Sequence, residues 1–287
     1  MFKKQVKMKT INLTYSYKNF IINFEDNEFG VLFNEVFKTK RIFYNKSSET
    51  LYVRGNQNCG YTLYKKDQFI MRLNSREETV NCIAKVIGRD FCSCVNASLF
   101  VMHASCVCIN GKIIAFSGAS GSGKTTLSLF FSEYGHYVGD EYAFLDIDKG
   151  FMWTEEHPFQ VKKSNETVLQ RIDDKYKIKT ECVPFGEAYY ISLDSINYSP
   201  VGSIDKIPLK VIVYPHFDIS CKNASINRLP AGKIPKLVLE SLMGEQTPSV
   251  ILNAFIHMIQ VHKIPLFELI YSNSATAVDL LYETISL

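Results

Sequence analysis

The 287-residue sequence has little of the features that mark membrane, secreted and nucleic-acid-binding proteins. It contains no uninterrupted run of about 18 apolar residues, so we expect no membrane-spanning helix. The basic start, residues 1–9, is not followed by the long apolar core of a secretory signal peptide. A net charge of +3 is far below the concentrated basic charge of a nucleic-acid-binding protein. These absences predict a cytoplasmic protein with neither a membrane nor a nucleic-acid partner.

The sequence also lacks the usual spacing of metal-binding cysteines. Cys92 and Cys94 form one C-x-C pair, and Cys106 and Cys108 form another, whereas zinc knuckles commonly have C-x-x-C spacing. We expect Cys106 and Cys108 to lie on one face of a strand as small apolar side chains, with zinc binding as the open alternative. A disulfide framework is not expected in a chain this long without an export signal.

What is present is a complete G-x-x-x-x-G-K-[ST] motif, which indicates a nucleotide ligand. Its glycines allow backbone N–H groups to surround phosphate oxygens, the lysine adds a compact positive charge, and the threonine hydroxyl suits Mg²⁺. The predicted nucleotide-binding residues are Gly118, Ala119, Ser120, Gly121, Ser122, Gly123, Lys124, Thr125 and Thr126.

The sequence on either side of the motif fits a strand, a loop and a helix in that order. Residues 112–117 form an apolar run typical of a buried strand, and residues 126–134 can continue as a helix. Gly135 stands where a helix C-cap is expected. Asn110 and Gly111 precede the strand and favour the tight type I′ turn of a hairpin.

Acidic residues follow the predicted helix at a spacing that suits phosphoryl transfer. Asp140 and Glu141 lie at the end of a short strand, where both can approach one metal–phosphate centre. One acid would hold Mg²⁺ or its waters, and the other would take the proton of an attacking hydroxyl. Asp146 and Asp148 are the competing carboxylates, and Asp146 is the conventional choice after an apolar strand.

The chain divides by pattern into two predicted domains. Residues 1–94 contain several short alternating runs and form a β-rich accessory lobe, whereas residues 95–287 carry the nucleotide motif. Ser75 and Glu78 have capping-box spacing and predict the start of a helix. Apolar spacing predicts further helices near residues 234–242, 249–261 and 275–285.

Taken together, these motifs resemble a known family. The order of His103-Ala104-Ser105, the Asn110-Gly111 hairpin, the glycine-rich motif and the Asp140-Glu141 pair is similar to the catalytic core of HPr kinase/phosphorylase. Smaller relatives of that core include the kinases that phosphorylate lasso-peptide precursors. In fold, the core also resembles ATP-dependent phosphoenolpyruvate carboxykinase.

The resemblance implies an α/β fold with a P-loop core and a mixed sheet, joined here to the β-rich amino-terminal lobe. It implies a kinase that uses ATP and Mg²⁺ to phosphorylate a hydroxyl, often a serine of a small protein or peptide. Carried over by position, Asp140, His103 and Lys124 are the catalytic residues, with Asp140 as the base. Thr125 and Glu141 are then the Mg²⁺ residues.

Two other functions stay open on the residues alone. The chain fits a nucleotide-binding regulatory or interaction protein with little or no turnover, and it also fits a small-molecule kinase. Its predicted partners are a nucleotide and an acceptor that is a peptide, a small protein or a small molecule. The oligomeric state is open, a homo-oligomer included.

Overall fold

The structure is a computed structural model, and it describes residues 8–15, 18–37, 47–93, 98–155, 159–162, 170, 182–185, 188–191, 206–243 and 248–285. The chain forms two compact units. The first comprises Met1–Gly88 and Glu156–Ser195, and the second comprises Arg89–Glu155 and Ile196–Leu287. The predicted division at residue 94 differs from this arrangement, since it leaves residues 156–195 with the second domain.

Strands and helices are mixed along the chain, which confirms the predicted α/β class. The first half contains β1 (Lys9–Thr14), β2 (Asn19–Phe24), α1 (Asn27–Phe37), β3 (Ser48–Asn56), β4 (Gly60–Lys65), β5 (Gln68–Leu73), α2 (Arg76–Cys92), β6 (Leu99–Met102), β7 (Ala104–Ile109), β8 (Lys112–Ser117) and α3 (Lys124–Phe131). The second half contains β9 (His136–Gly139), β10 (Ala143–Asp146), β11 (Phe151–Thr154), β12 (Phe159–Lys162), β13 (Cys182–Phe185), β14 (Ala188–Ile191), β15 (Ile207–Phe217), β16 (Ser225–Arg228), α4 (Ile234–Ser241), β17 (Leu242–Met243), α5 (Pro248–Val261), β18 (Leu266–Tyr271) and α6 (Ser274–Ile285).

The first unit is built around a five-stranded sheet in the order β1-β2-β3-β4-β5. Helix α1 packs on β1 and β2 through a cluster of aromatic rings, in which Phe24 contacts both Phe29 and Phe33. Strands β4 and β5 form an antiparallel hairpin. A smaller sheet, β12-β14-β13, belongs to the same unit, and its Tyr190 hydroxyl donates to Asn81 at 3.0 Å.

Helix α2 begins with the predicted cap. Ser75 Oγ accepts a hydrogen bond from the Glu78 N–H at 3.1 Å, and Glu78 Oε2 accepts one from the Asn74 N–H at 2.7 Å. These contacts satisfy backbone donors that a helix start leaves without intrahelical partners.

The second unit is organised by a ten-stranded mixed sheet in the order β17-β6-β10-β11-β15-β8-β7-β9, with β18 paired to β15 and β16 paired to β18. Strands β8 and β18 are both parallel to β15. Because Ile212 and Val213 of β15 pair with both neighbours, β8 and β18 lie on opposite edges of β15. The carboxyl ends of these three strands therefore point the same way, toward the loop that follows β8.

The hairpin that precedes this loop has the predicted turn. Asn110 and Gly111 both have positive φ, 49° and 71°, as a type I′ turn requires. Cys106 and Cys108 lie on the same face of β7 and are packed in one apolar cluster of the sheet, which confirms their predicted role as small apolar side chains.

Helices cover both faces of the ten-stranded sheet. On one face, α3 and α6 pack through Leu127, Phe131 and Leu281, and on the other, α4 and α5 pack through Val238 and Phe255. The predicted end of α3 is wrong, because the helix stops at Phe131 and turns follow before β9. Gly135 does not cap the helix, and a side chain there would collide with the Cys108 carbonyl, so close packing on β7 explains the glycine.

None of the helices within the described ranges combines the length and the apolarity needed to cross a membrane.

Candidate functional site

The glycine-rich loop joins the carboxyl end of β8 to the first turn of α3. Gly118, Gly121 and Gly123 all have positive φ, a conformation that glycine adopts without steric cost. At Gly123 the need for glycine is also steric, because a Cβ atom would collide with the Tyr271 hydroxyl. Tyr271 Oη donates a hydrogen bond to the Ser122 carbonyl at 3.3 Å. The loop is therefore supported by β18, which ends at Tyr271.

Lys124 is buried at the start of α3 and folds back over the loop. Its Nζ donates to the carbonyl oxygens of Gly118 at 2.9 Å and Ala119 at 3.0 Å. Burial lowers the pKa of Lys124, and the nearby charges of Asp140 and Glu141 oppose that shift. The loop therefore holds a buried cation whose present partners are neutral carbonyls, which are weaker partners than an anion.

The other residues of the motif differ in exposure. Gly118 is buried, Ser122, Gly123, Thr125 and Thr126 are half-buried, and the remaining three are exposed at the tip of the loop: Ala119, Ser120 and Gly121. The predicted nucleotide residues thus form the loop and the first turn of α3, at the amino end of a helix, where N–H groups attract anions.

Asp140 is brought to this surface by β9, which ends one residue before it. Its Oδ2 accepts a hydrogen bond from Thr125 Oγ1 at 2.8 Å. Asp140 is only 2% exposed, and among the described residues its Oδ1 has no hydrogen-bond partner. Burial and the neighbouring Glu141 charge raise the pKa of Asp140 to about 6, against the opposing effects of Thr125 and His103. A buried acid in this state is typical of a functional site.

Glu141 points to a different neighbour. Its φ is 70°, and the Tyr142 N–H donates to the Asp140 carbonyl at 2.9 Å, so Glu141 is the central residue of a γ-turn. A γ-turn with positive φ is rare and strained for a residue other than glycine. The Glu141 carboxylate lies 3.2 Å from His103 Nε2 and is 37% exposed, so the two adjacent acids serve different contacts.

His103 is held in place through its backbone. It lies between β6 and β7, where its N–H donates to the Ser241 carbonyl at 2.7 Å and its carbonyl accepts from the Ser117 hydroxyl at 3.2 Å. Because Ser117 is the last residue of β8, this contact fixes His103 beside the start of the glycine-rich loop.

Buried hydroxyls link this part of the sheet to α3. Ser105 on β7 is hydrogen-bonded to Ser128 on α3, and Ser128 Oγ also donates to the Thr125 carbonyl at 3.0 Å. Ser105 and Ser128 are fully buried. Their contacts fix the first turn of α3, and with it Thr125, against the strand that starts beside His103.

The alternative acids lie elsewhere. Asp146 is at the opposite end of β10 from Glu141, where its carboxylate accepts from Lys206 Nζ and from the Lys149 N–H, both at 3.1 Å. Asp148 is exposed in the turn that follows. The geometry therefore selects Asp140, rather than Asp146, as the acid that meets the glycine-rich loop.

Sequence reasoning missed the residues that support the site. Tyr271 is 149 residues from Ser122 in the chain, and no local motif signals its contact with the loop. Ser105 could have been suspected, since a serine in an otherwise apolar strand needs a hydrogen-bond partner. Ser241 contributes only its backbone carbonyl to His103, a contact that leaves no mark on side-chain patterns.

No protein-family model matches the chain, and no curated protein matches it with significant similarity. Across the described ranges, no three His, Cys, Asp or Glu side chains converge on a point that could hold a metal ion by themselves. The loop, the buried acid and the His103–Glu141 pair are therefore the observations from which a function can be argued.

Proposed function

We propose that this chain is an ATP- and Mg²⁺-dependent kinase that transfers the γ-phosphate to a hydroxyl, often a serine of a small protein or peptide. The observation that carries the proposal is the 2.8 Å contact between Thr125 Oγ1 and Asp140 Oδ2. It joins the threonine of a complete phosphate-binding motif to a buried acid, the pair that holds Mg²⁺ in P-loop enzymes.

The loop would bind the β- and γ-phosphates through its N–H groups and Lys124. In the structure Lys124 Nζ donates to two loop carbonyls, Gly118 and Ala119. Exchanging these neutral acceptors for phosphate oxygens gives stronger, charge-assisted hydrogen bonds. Nucleotide binding is therefore expected to draw Lys124 out of its contacts with the loop.

The donor set fits Mg²⁺. Thr125 supplies a hydroxyl, and Asp140 supplies a carboxylate whose Oδ1 lacks a partner within the described residues. Mg²⁺ is typically held by one or two protein oxygens together with substrate phosphates and waters, so a closed protein cage is not required. When bound, the ion neutralises charge that develops on the phosphates.

The contacts favour roles for the two acids that are the reverse of those implied by the family resemblance. The resemblance places Asp140 as the base and Glu141 on Mg²⁺. Asp140, however, is almost completely buried against Thr125, whereas Glu141 is partly exposed beside His103. We therefore assign Asp140 to Mg²⁺ and the His103–Glu141 pair to the acceptor.

The transfer step follows from these positions. The acceptor oxygen forms a bond to the γ-phosphorus while the bond from that phosphorus to the β–γ bridging oxygen breaks. The acceptor proton passes to the Glu141 carboxylate, which His103 orients, and the bridging electrons leave with ADP. Lys124 and the loop N–H groups stabilise the charge on the transferring group, which is where most catalysis of phosphoryl transfer arises.

The fold agrees with this proposal at the level of its architecture. A mixed sheet with the loop at the end of a strand parallel to its neighbour is what an HPr kinase- or carboxykinase-like core would present. A cytoplasmic location, where ATP is abundant, is part of the same proposal.

Transfer of radiolabel from γ-labelled ATP tests the function. Purified protein and Mg²⁺ are added to cell lysate, beside a Lys124→Ala variant as the control. A labelled protein, peptide or small product formed only by the wild type supports a kinase and reveals the acceptor class. Stoichiometric ATP binding without any labelled product would instead favour a regulatory nucleotide-binding protein.

Once an acceptor is known, the two acids can be separated. Glu141→Gln should lower the rate constant of transfer about 10²-fold or more, the usual scale of general-base catalysis, with Mg²⁺-dependent ATP binding retained. Asp140→Asn should weaken Mg²⁺-dependent ATP binding as well. If Glu141→Gln loses Mg²⁺ dependence and Asp140→Asn keeps it, the roles implied by the family resemblance are correct.

A further inference from the structure

Two exposed apolar side chains lie at the carboxyl end of β15. Phe217 is 48% exposed and Ile219 is 86% exposed. Single exposed apolar residues are common and need no explanation. This pair differs because it lies close to the support of the glycine-rich loop and is held by an ordered turn.

The turn after β15 is fixed by hydrogen bonds on both sides of Ile219. Asp218 Oδ1 accepts from the Ser220 N–H at 2.9 Å and from the Ser220 hydroxyl at 2.7 Å. The Asp218 N–H donates to the Tyr271 carbonyl at 2.8 Å, and the Cys221 N–H donates to the Asp218 carbonyl at 3.0 Å. Ile219 is therefore displayed by a preorganised backbone, which reduces the entropy lost when a ligand covers it.

Phe217 is connected to the glycine-rich loop through the ring of Tyr271. Its ring lies edge-on to Tyr271, with centroids 5.6 Å apart, and Tyr271 Oη contacts the Ser122 carbonyl. Since side chains alternate along a strand, Phe217 shares the face of Val211 and Val213, the face that α3 covers. The exposed ring is thus on the same side of the sheet as the helix that begins at Lys124.

The strand order places Phe217 and the proposed acceptor residues, His103 and Glu141, on opposite sides of β8. Moving across the sheet, β18 and β15 carry Tyr271 and Phe217, β8 carries the loop, and β7 begins next to His103. The proposed function directs the γ-phosphate of a bound nucleotide toward the His103–Glu141 pair, on the β7 side of the loop. With that orientation, the base end of the nucleotide would extend to the β15 side, where Phe217 lies.

We propose that Phe217 and Ile219 form the platform on which the purine ring of the nucleotide stacks. The proposal rests on the proposed function, since it requires the phosphates on the glycine-rich loop. Every purine has an apolar π-face suited to an aromatic ring and an aliphatic side chain. Ligands of sheets with parallel strands also bind beyond the carboxyl ends of those strands.

Calorimetric titration with two ligands tests the platform on the full chain. ATP with Mg²⁺ contains the base, and inorganic tripolyphosphate with Mg²⁺ lacks it. Phe217→Ala should weaken ATP binding at least about fivefold, the lower range of aromatic stacking on a base, and leave tripolyphosphate binding unchanged. Ile219→Ala should act in the same direction with a smaller factor.

Phe69→Ala is the matched control, since Phe69 is a comparably exposed phenylalanine of the first unit, at 57%. It should leave the affinity for both ligands unchanged. Because tripolyphosphate is measured on every variant, retained binding shows that the loop of that variant is folded.

The outcomes separate the platform from the kinase proposal. Unchanged ATP affinity in Phe217→Ala, or a wild type that binds ATP and tripolyphosphate equally, overturns the platform and leaves the loop assignment intact. A variant that keeps its ATP affinity but loses affinity for the acceptor overturns the platform and assigns the patch to the acceptor. A wild type that binds neither ligand overturns the kinase proposal and the platform with it.

Discussion

Each of the two units contains a largely buried aspartate that accepts a hydrogen bond from a hydroxyl, but the other neighbours of the two aspartates differ. Asp26 of the first unit accepts from the Tyr61 hydroxyl at 2.8 Å, the same distance that joins Thr125 to Asp140 in the second unit. Asp26 also accepts from the Phe29 N–H at 3.0 Å and from Arg76 at 3.1 Å. Asp140 has an acid, Glu141, as its next neighbour.

The pKa of the aspartate is shifted in opposite directions at the two sites. Burial tends to raise the pKa of Asp26, but the Phe29 N–H, Tyr61 and Arg76 together lower it. At Asp140, burial and the charge of Glu141 raise the pKa to about 6. A fully paired carboxylate stabilises a fold, whereas a crowded carboxylate with a free oxygen costs stability and is typically retained for binding or catalysis. This difference favours a structural role for the Asp26 cluster and supports the function proposed for the Asp140 cluster.

The largest expected effect is on the rate of phosphate transfer, which should depend on Asp140 and not on Asp26. Asp140→Asn should lower phosphate transfer by about 10³-fold or more, since it removes a negative charge from the proposed Mg²⁺ site. Asp26→Asn should leave the transfer rate per folded molecule within about twofold. The measurement is γ-phosphate transfer at saturating ATP, and comparable losses in both variants would end the distinction drawn here between the sites.

The next effect concerns stability in the first unit. Arg76→Met should lower the free energy of unfolding by about 2–3 kcal/mol, because it leaves Asp26 charged without its guanidinium partner. Since the pKa of Asp26 is lowered, this stabilisation is present above the ordinary pKa of an aspartate and is lost as the pH falls through the folded value.

Scanning calorimetry at pH 7 measures this change, and Arg54→Met is the control. Arg54 is more than half exposed and lies 3.9 Å from Glu25, so its loss should cost under about 0.5 kcal/mol. Equal destabilisation by the two arginine variants would show that the Asp26–Arg76 contact contributes nothing special.

The smallest effect has the opposite sign and belongs to Asp140. A raised carboxyl pKa means that wild-type stability is highest below the unfolded pKa and declines as pH rises through about 6. Asp140→Asn keeps an acceptor for Thr125 and cannot ionise, so it should be more stable than the wild type at pH 8 by about 1–2 kcal/mol. The difference should shrink toward pH 4.

Urea unfolding followed by the fluorescence of Trp153, the single tryptophan, reports on the unit that contains Asp140. Mg²⁺ with ATP should reduce the difference at pH 8, since bound cation compensates the wild-type charge. If the stability of Asp140→Asn depends on pH in the same way as that of the wild type, ionisation of Asp140 does not destabilise the fold.

Much of the second unit could be predicted from local signals. Asn110-Gly111 specifies its hairpin turn because both residues tolerate positive φ, and the glycine-rich motif specifies a strand, a loop and a helix. The family resemblance also implies catalytic roles for Asp140 and His103, but it does not give their contacts. Their partners depend on which strands pair, and that is decided by contacts distant in sequence.

The missed features have identifiable physical causes. Helix α1 was not predicted although Asp26 caps it and Phe29, Phe33 and Phe37 recur every four residues. Its aromatic content also suits strands, so the short β-like runs around it masked the helical period. The first unit includes residues 156–195, whereas the sequence pattern predicts a single boundary at residue 94, because such patterns follow the chain in order and do not report contacts between distant segments.

Tyr271 has a consequence for how the protein is made. It belongs to the last strand, and its ring and hydroxyl support a loop that lies 149 residues earlier in the chain. During synthesis the glycine-rich loop leaves the ribosome well before that support exists. The nascent chain therefore forms the contact between Tyr271 and the proposed phosphate-binding loop only after residue 271 has emerged and β18 has paired, so the loop is at first without this support.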